Sequence, residues 1–558
     1  MLEKTIRAGA HAAWLASCWA PYQALRRAQK SPAVVQAALL VRLLRANASS
    51  AYGRKFGFSG LRTPSEFQNN VPIVDYDDLR PWIERIMTGE AGVLTDEPVL
   101  MLEKTSGSAA AAKYIPYTSS LRREFQRAVG AWMFDLYANN PHLAGGNAYW
   151  AVTPLAREPE ITPGGLRVGF ENDTEYLGAA ERFLLRKILA VPEEVACIPE
   201  LSTALYVTLR FLLQSPSLTF ISVWAPSFLI ILLEHLQNNV GRLVTDLRDG
   251  ALRPPGRLPD VFAPVLRGSL RADPTRARRL EHAWRESGLL RTQDVWPNLR
   301  VISCWTDASS RLAVPALREL FPGATIQGKG LLATEGVVSL PLVDQGACLA
   351  AATSHFYKFI EQPGAPPQLL HELEAGHQYS VLLTTGGGLY RYRLGDRVRV
   401  VGFAENTPLL EFLGKEDGTS DLCGEKLSPA FVGSILAELS GERAFVSDFA
   451  MLAPSRRERP HYVLFLQGEA FRADLAVRLD KKLTQNPHYA YCRRLGQLAV
   501  PRIFQITSGA GECYLRRCVV LGQRAGAVKS VALHRLAGWE ECFQGEWTER
   551  CTQQEVEA

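Results

Sequence analysis

LTTGGGLYRYRLGD, residues 383–396, sets a glycine triplet between two apolar runs and ends in an aspartate. Glycines between apolar runs predict a turn that joins two β-strands. Asp396 follows Gly395, and a carboxylate at a tight glycine turn can accept hydrogen bonds from the two vicinal hydroxyls of a ribose. A solvated β-turn with alternating arginines facing water fits the same residues. This stretch therefore predicts strands and leaves a nucleotide site open.

The sequence on either side predicts a large α/β body and a small domain. Before it, short apolar strands such as Leu218 to Val223 alternate with helical stretches such as Ser227 to Leu236, which is typical of parallel sheets. After it, Gly414 to Pro429 is polar, contains glycine and ends in proline, as linkers do. We expect a large α/β domain with a strand-rich subdomain, a hinge, and a small mobile α+β domain, at residues 1–414, 415–428 and 429–558.

Composition and charge narrow the classes of partner. The formal net charge of +5 is small for 558 residues, and basic residues are scattered among acidic ones, so we expect no nucleic acid partner. The ten cysteines show no Cys-x-x-Cys spacing, which favours a reducing cytoplasm. Ala8 to Leu25 lacks charged side chains, but Pro21 interrupts it and it is short for a bilayer. We expect a packed N-terminal helix and no membrane span.

A hydroxyl-rich turn lies in the first quarter of the chain. Thr105-Ser106-Gly107-Ser108, four alanines and Lys113 follow an apolar run. Backbone N–H groups and hydroxyls in such a turn can donate to phosphate oxygens while the lysine ammonium offsets their charge. A Ser/Thr turn that caps a helix fits the same residues. The pattern predicts either a polyphosphate site or a helix cap.

A third candidate is the Thr334–Glu335 pair at the end of the apolar run GLLATEG, residues 330–336. A single glutamate in such a place suits Mg²⁺, which takes one or two carboxylates together with nucleotide phosphates. An ordinary charge at the end of a strand fits equally. Alone, this pair does not decide between the two.

These motifs, taken in chain order, resemble those of the adenylate-forming superfamily. The order is the hydroxyl-rich turn with Lys113, the Thr334–Glu335 pair, the Tyr392 to Asp396 run, and the Gly414–Lys415 pair. An ordered set of four is far harder to obtain by chance than any one of them.

A closer resemblance is to the acyl acid amido synthetases, the auxin-conjugating Gretchen Hagen family, and within it to bacterial-type members. It is carried by VPIVDYDDLRPWIERI, QGKGLLATEG and LTTGGGLYRYRLGD, at residues 71–86, 327–336 and 383–396. It extends from Ser49 to His534, nearly the whole chain. The resemblance implies an adenylate-forming architecture, in which the large domain binds ATP and the acid and the small domain moves.

The resemblance also implies roles for the residues at matching positions, with ATP and Mg²⁺ as cofactors. Glu335 would face Mg²⁺ and Asp396 would bind the ribose. Lys529 would reach the reacting phosphate, although a surface lysine fits that position too. The implied catalytic residues are Lys113, Lys529 and Glu335, and the implied nucleotide-binding residues are Thr105, Ser106, Gly107, Ser108, Thr334, Asp396 and Lys415.

The chain departs from the family pattern at two places. Ala109 to Ala112 replace the Thr or Ser and the glycines that usually follow the first serine of the phosphate loop. Alanine enters positive φ less readily than glycine, so either the loop tolerates alanine or nucleotide binding is weakened. Leu-Leu-Ala-Thr-Glu also stands where plant members have Tyr-x-Ser-Ser-Glu, so adenine stacking near Leu331 is not implied.

The function that the resemblance implies is adenylation of a carboxylic acid, with release of pyrophosphate, and transfer of the acyl group to an amine such as an amino acid. Val223 and Trp224 open an apolar segment that suits the wall of an aryl or aliphatic acid pocket, and core packing fits them equally. Two alternatives stay open: a coenzyme A ligase that uses the same adenylation step, and a nucleotide-binding protein with impaired catalysis. The sequence does not indicate an oligomeric state.

Overall fold

The computed structural model describes residues 2–105, 113–151, 160–169, 179–343, 345–362, 364–423, 425–457, 459–468, 470–523 and 525–548. The chain folds into two compact units. The first contains Met1–Val223, Glu234–Cys304 and Gly323–Phe412, and the second contains Trp224–Leu233, Trp305–Pro322 and Leu413–Ala558. The domain limits and hinge expected from the sequence stay predictions.

Helices occur throughout the described residues and dominate the first hundred, as the apolar spacing there predicts. They are α1 (Leu2–Lys30), α2 (Pro32–Ala46), α3 (Ala51–Lys55), α4 (Pro64–Asn70), α5 (Tyr76–Met87), α6 (Ser119–Asn139), α7 (Ala179–Ile188), α8 (Leu201–Leu213), α9 (Pro226–Asn238), α10 (Val240–Asp249), α11 (Ala263–Gly268), α12 (Pro274–Ser287), α13 (Thr292–Val295), α14 (Val314–Leu320), α15 (Pro429–Gly441), α16 (Leu475–Leu483), α17 (Pro487–Arg494) and α18 (Ala510–Val520).

The strands concentrate in the middle of the chain and near its C-terminal end. They are β1 (Met101–Thr105), β2 (Lys113–Tyr117), β3 (Asn147–Trp150), β4 (Glu160–Ile161), β5 (Arg167–Val168), β6 (Leu218–Ser222), β7 (Val301–Cys304), β8 (Thr325–Gly328), β9 (Leu332–Ala333), β10 (Gly336–Val337), β11 (Ser339–Pro341), β12 (Cys348–Ala350), β13 (Phe356–Ile360), β14 (Gln368–Leu369), β15 (Gln378–Thr384), β16 (Tyr392–Ala404), β17 (Thr407–Lys415), β18 (Phe445–Val446), β19 (Phe449–Ser455), β20 (His461–Gln467), β21 (Ala470–Phe471), β22 (Arg502–Ile506) and β23 (Gly545–Trp547).

A parallel sheet in the first unit has the order β3-β6-β7-β8. Every residue of β6 and β7 is buried, because helices leave neither face of such a sheet open to water. The carboxyl ends of parallel strands meet at one edge, and in α/β folds that edge is where ligands bind. The α/β fold class predicted from the sequence is confirmed.

The strand-rich subdomain is a seven-stranded sheet with the order β11-β12-β17-β16-β15-β13-β14. Its long central pair, β15 and β16, is antiparallel, and the chain between the two strands contains the glycine triplet 386–388. The sequence predicted both the strands and the turn. A smaller sheet, β2-β1-β5-β4, contains the two strands on either side of the hydroxyl-rich turn.

The N-terminal helix α1 packs into the first unit. Its Trp14 is buried and meets the ring of Tyr137 on α6 edge-on, with ring centroids 5.8 Å apart. Pro21 lies inside this helix. Among the described residues, no helix has the length and apolar character needed to cross a membrane.

The second unit has its own core. Its sheet has the order β19-β20-β22-β23, and α15 and α16 bury leucines such as Leu436 and Leu479. The glycine-bearing segment before α15 takes part in this packing. Ser420 and Leu427 exchange backbone hydrogen bonds, and Leu427 is fully buried, so polar composition here does not mean an extended linker.

Candidate active site

The hydroxyl-rich turn connects two antiparallel strands. Thr105 ends β1 and lies opposite Lys113, the first residue of β2. Ser106, Gly107, Ser108 and the four alanines fall outside the described residues. The choice between a polyphosphate site and a helix cap therefore stays a prediction.

Helix α5 supports the strand that begins with Lys113. Asp75 caps this helix in a capping box with Asp78, which fixes the position of Tyr76 in the first turn. The Tyr76 hydroxyl accepts the backbone N–H of Tyr114 at 2.8 Å, and the Lys113 Nζ lies 5.8 Å from the centroid of the Tyr76 ring. The VPIVDYDDL stretch thus orients the lysine that the sequence assigned to the phosphates.

Thr334 and Glu335 form the two-residue turn of the β9–β10 hairpin, in which Ala333 pairs with Gly336. The Tyr117 hydroxyl, at the end of β2, donates to the Thr334 carbonyl at 3.2 Å. Glu335 is only 7% exposed. A carboxylate buried in this way is unlike the ordinary charge at a strand end that the sequence left as an alternative.

Asp396 lies in β16 within a bulge, between the paired residues Arg393 and Arg397. The register between β15 and β16 shifts between Ser380 and Leu382, and Gly395 has a φ of 74°, a conformation that glycine adopts without strain. The Asp396 side chain is buried, on the same alternating positions of β16 as Leu394 and Val398. Bulges recur beside functional sites because they redirect one side chain.

Tyr392 is a buried tyrosine whose hydroxyl is influenced electrostatically by both carboxylates. Its side chain is fully buried, and its hydroxyl has no hydrogen-bond partner within the described parts of the chain. Burial, and then the nearby carboxylate of Glu335, raise the pKa of this hydroxyl, and Asp396 adds to the shift. The charges of Glu335 and Asp396, about sixty residues apart, therefore both act on one tyrosine. Tyr392 lies in the motif of residues 392–396, but the sequence predicted no role for it.

Arg391 holds the start of β16 against the VPIVDY stretch. It has a φ of 50°, which is rare outside glycine, and its guanidinium donates to the carbonyls of Gln68 and Val71. The Arg391 carbonyl accepts the N–H of Val74 at 3.3 Å. The expectation of two arginines facing water fails for Arg391, which is buried, and holds for Arg393, which is exposed.

A second cation lies close to Arg391. Lys358 on β13 is buried and donates to the side chain of Gln68. Burial, followed by repulsion from Arg391, lowers the pKa of the Lys358 ammonium to about 8. Nothing in the sequence around Lys358 signals this, because Gln68 and Arg391 come from distant segments.

The second unit contains four other predicted or neighbouring site residues. Trp224 and Trp305 have ring centroids 5.2 Å apart, and the backbone N–H of Trp305 donates to the backbone carbonyl of Trp224 at 2.8 Å. The Lys529 Nζ lies 3.8 Å from the centroid of the Trp305 ring, a cation–π contact. Lys529 is therefore half-buried on an aromatic surface, whereas Lys415, at the end of β17, is exposed.

Val223, predicted as a substrate contact, is fully buried just after β6 and donates its N–H to the Ser303 carbonyl. This bond extends the parallel pairing by one residue. Whether the acid touches Val223 stays a prediction, as do the roles of the other predicted site residues.

Within the first unit, the fold thus brings the strand of Lys113 to Thr334, Glu335, Tyr392 and Asp396. One ammonium and two buried carboxylates at adjoining turns are what a nucleotide with phosphates, a divalent cation and a ribose requires. Among the described residues, no group of three or more His, Cys, Asp or Glu side chains could hold a metal ion. A single carboxylate, that of Glu335, is enough for Mg²⁺, because this ion completes its coordination shell with water and phosphates. The site belongs to the adenylate-forming class.

The models that describe the GH3 family match nearly the whole chain. The GH3 family N-terminal domain matches residues 21–326, the central domain 348–415 and the C-terminal domain 431–535. The chain belongs to the GH3 family. The resemblance to the Gretchen Hagen acyl acid amido synthetases is confirmed, and with it the prediction of an ATP-dependent, amide-forming ligase.

Named relatives and solved structures agree with this membership. The chain is 25% identical to the jasmonoyl-L-amino acid synthetase JAR6 of Nicotiana attenuata, over 91% of this chain and 92% of the relative. It is 26% identical to the indole-3-acetic acid-amido synthetase GH3.10 of Arabidopsis thaliana, over 87% and 90%. The fold matches the structure of AtGH3.15 acyl acid amido synthetase in complex with 2,4-DB, with a TM-score of 0.82, 19% identity and coverage of 96% and 98%.

Proposed function

We propose that this chain uses ATP and Mg²⁺ to convert a carboxylic acid into an acyl-adenylate and then joins the acyl group to the amino group of an amino acid. The observation that carries the proposal is that the Tyr117 hydroxyl, at the end of the strand that begins with Lys113, bonds to the hairpin turn that contains the buried Glu335. The named relatives conjugate indole-3-acetic acid or jasmonate, which supports a carboxylic acid and an amino acid as substrates.

The chemical problem is that a carboxylate resists attack by an amine, because it is anionic and its oxygen is a poor leaving group. In the proposed first step, an oxygen of the acid attacks the α-phosphorus of ATP, and pyrophosphate leaves. The amine then attacks the acyl carbon, AMP leaves, and the amine loses a proton. The products are an amide, AMP and pyrophosphate.

Each residue has a defined task in this scheme. The Lys113 ammonium offsets the negative charge that builds on the phosphate oxygens. Asp396 accepts hydrogen bonds from the ribose hydroxyls, which fixes the nucleotide at the bulge in β16. When bound, Mg²⁺ neutralises phosphate charge, and the buried carboxylate of Glu335 would hold it. Burial makes both carboxylates more effective than exposed ones, since water screens them less.

We assign the acid to the aromatic surface of the second unit. Trp224 and Trp305 present adjoining rings, and aromatic walls suit aryl or indolyl acids better than short aliphatic ones. In this proposal Lys529 helps to stabilise the charge on the reacting phosphate, and after pyrophosphate has left, residues 415–428 act as the hinge that opens a path for the amine. The enzyme acts in the cytoplasm, the compartment favoured by a sequence without Cys-x-x-Cys spacing.

The test is pyrophosphate release from ATP and Mg²⁺ with a panel of aryl, indolyl and aliphatic acids, with and without amino acids. We expect release that depends on the acid, and an amide product by mass spectrometry. Lys113→Ala and Asp396→Asn should lower this rate at least about a hundredfold. Lys104→Ala is the matched control, since Lys104 lies on the neighbouring strand and pairs with the exposed Glu160.

Other outcomes separate the alternatives. A thioester formed with coenzyme A, and no amide, would identify a coenzyme A ligase. ATP binding without release for any acid would identify an impaired nucleotide-binding protein, as the alanine-filled loop allows.

A further inference from the structure

The turn that contains Glu335 does not have the geometry that its length favours. Two-residue hairpins prefer turns with positive φ at one or both central residues, which is why Asn and Gly are common there. Neither Thr334 nor Glu335 is glycine or has a positive φ. Contacts from outside the hairpin must therefore stabilise this turn.

His355 provides the most buried of these contacts. Its Nε2 accepts the N–H of Val337 at 2.9 Å. A Cβ added to Gly336 would lie 2.8 Å from the same nitrogen, so the imidazole ring packs directly against the hairpin. The Tyr357 hydroxyl donates to the Val337 carbonyl at 2.6 Å and fixes the other side of that residue.

Glu124 on α6 orients the imidazole. The Glu124 Oε2 lies 2.8 Å from the Nδ1 of His355, and both side chains are almost fully buried. Because Nε2 accepts a bond from Val337, the ring proton is on Nδ1 and is donated to the carboxylate. The hydrogen-bond pattern thus defines a neutral imidazole and a single tautomer.

The same carboxylate also reaches the segment that contains Asp396. The Gly386 N–H donates to Glu124, at 2.9 Å from Oε2 and 3.1 Å from Oε1. The Thr118 hydroxyl, at the start of α6, donates to the Gly386 carbonyl at 2.8 Å. Gly386 begins the glycine triplet that leads into β16. One buried carboxylate therefore connects the hairpin of Glu335 with the strand of Asp396.

We propose that Glu124 and His355 are positioning residues for the nucleotide: they fix the hairpin turn that contains Glu335 and the glycine turn that leads into the strand of Asp396. The inference rests on the proposed function. A buried carboxylate is costly, and apolar residues of the same volume would stabilise a core at least as well. What the charged pair adds is orientation, because its hydrogen bonds are short and directional. Neither residue touches the substrate.

The test is binding of α,β-methylene-ATP to the full chain, measured by calorimetry with and without Mg²⁺. His355→Asn retains an amide near the position of Nδ1 and loses the acceptor for Val337. We expect its affinity for the analogue in Mg²⁺ to fall about tenfold or more, the usual effect of disturbing a group that orients a metal ligand. His377→Asn is the matched control, since His377 is half-exposed and pairs with Glu361.

A double-variant cycle separates positioning from general structure. If His355 acts through Glu335, His355→Asn should weaken binding much less in the Glu335→Gln background than in the wild type. Additive losses, or an affinity within twofold of wild type together with a lower Tm, would overturn the inference. Glu124→Gln gives the same test if His355→Asn does not fold.

The wild-type arm distinguishes this inference from the proposed function. A wild-type chain that fails to bind the analogue overturns both. A wild-type chain that binds it and releases pyrophosphate, while His355→Asn binds equally well, overturns only the positioning role.

Discussion

Glu124 in the first unit and Glu425 in the second are both buried carboxylates, but they connect very different parts of the chain. Glu124 accepts hydrogen bonds from His355 and Gly386, which are 231 and 262 residues away. Glu425 accepts from the N–H groups of Leu422 and Cys423, within three residues, and from the Tyr462 hydroxyl. The first joins two turns of a site, and the second shapes one loop. Loss of Glu124 should therefore affect both stability and nucleotide binding, and loss of Glu425 only stability.

The largest effect should come from Glu124→Ala. It leaves the Gly386 N–H and the His355 Nδ1–H without an acceptor, and each unpaired donor costs about 1 to 3 kcal/mol. It also leaves a cavity where the Glu124 side chain packed. We expect the free energy of unfolding of the first unit to fall by about 3 to 5 kcal/mol in urea, followed by circular dichroism. Glu90→Ala, which breaks an exposed ion pair with Arg85, is the control and should leave the free energy of unfolding nearly unchanged.

A smaller and separable effect is expected for Glu425→Ala. The variant leaves the N–H groups of Leu422 and Cys423 without their acceptor, at a cost of about 2 to 4 kcal/mol to the second unit, whereas the Tyr462 hydroxyl keeps its bond to Ser420. Affinity for α,β-methylene-ATP should stay within twofold of wild type, because the loop supports no residue of the first unit's site. A tenfold loss of affinity in this variant would contradict the prediction that only Glu124 supports nucleotide binding.

The acid sensitivity of the second unit should be smaller still. Burial, and then the charge of Arg517, lower the pKa of His534 to about 4 from an ordinary 6.5. The unfolded chain therefore binds this proton at a higher pH than the folded chain does. The stabilisation is complete above pH 6.5 and is lost as the pH falls toward 4. Since His534 is half-buried, we expect a loss of about 2 kcal/mol, measured by urea unfolding between pH 7 and 4.5.

His534→Phe tests the assignment of that pH dependence. Phenylalanine retains the ring packed against Trp539, whose centroid lies 4.8 Å away, and removes the titrating group. The slope of stability against pH between 6.5 and 4.5 should flatten. An unchanged slope would assign the acid sensitivity to other groups.

The sequence predicted the elements of the fold and most of the segments of the site. Alternating apolar runs gave β6 and α9, and the glycine triplet gave the turn between β15 and β16. Those features depend on neighbours in the chain, so composition and periodicity are enough to find them. Asp396 could be singled out for the same reason, since its signal is the glycine beside it.

The residues that sequence reasoning missed depend on distant partners. In the sequence, nothing distinguishes Glu124 from other helix residues or His355 from other loop residues. Their role depends on the contacts that the fold makes between α6, β10 and the glycine turn. Tyr392 was visible in its motif, but its burial between two carboxylates was not. The polar segment 414–429 is a further case, because composition predicted a hinge there and could not show that the Tyr462 hydroxyl bonds to the buried Glu425.

Two tyrosines of β2, three residues apart, allow the same comparison between a residue that supports the site and one that does not. The Tyr117 hydroxyl donates to the Thr334 carbonyl beside Glu335, and the Tyr114 hydroxyl donates to the exposed Glu160 at 3.1 Å. Tyr117→Phe should cost about 0.5 to 1.5 kcal/mol of stability and loosen the turn. Affinity for α,β-methylene-ATP in Mg²⁺ should fall about threefold, equivalent to a fraction of one such bond.

Tyr114→Phe is the matched control for this measurement, since it removes a hydroxyl from the same strand and retains the backbone bond to Tyr76. Its affinity for the analogue should equal that of the wild type. If both variants weaken binding equally, the effect comes from the strand as a whole. If only Tyr117→Phe does so, the hairpin of Glu335 responds to a single outside hydrogen bond, as a turn without its own preferred geometry must.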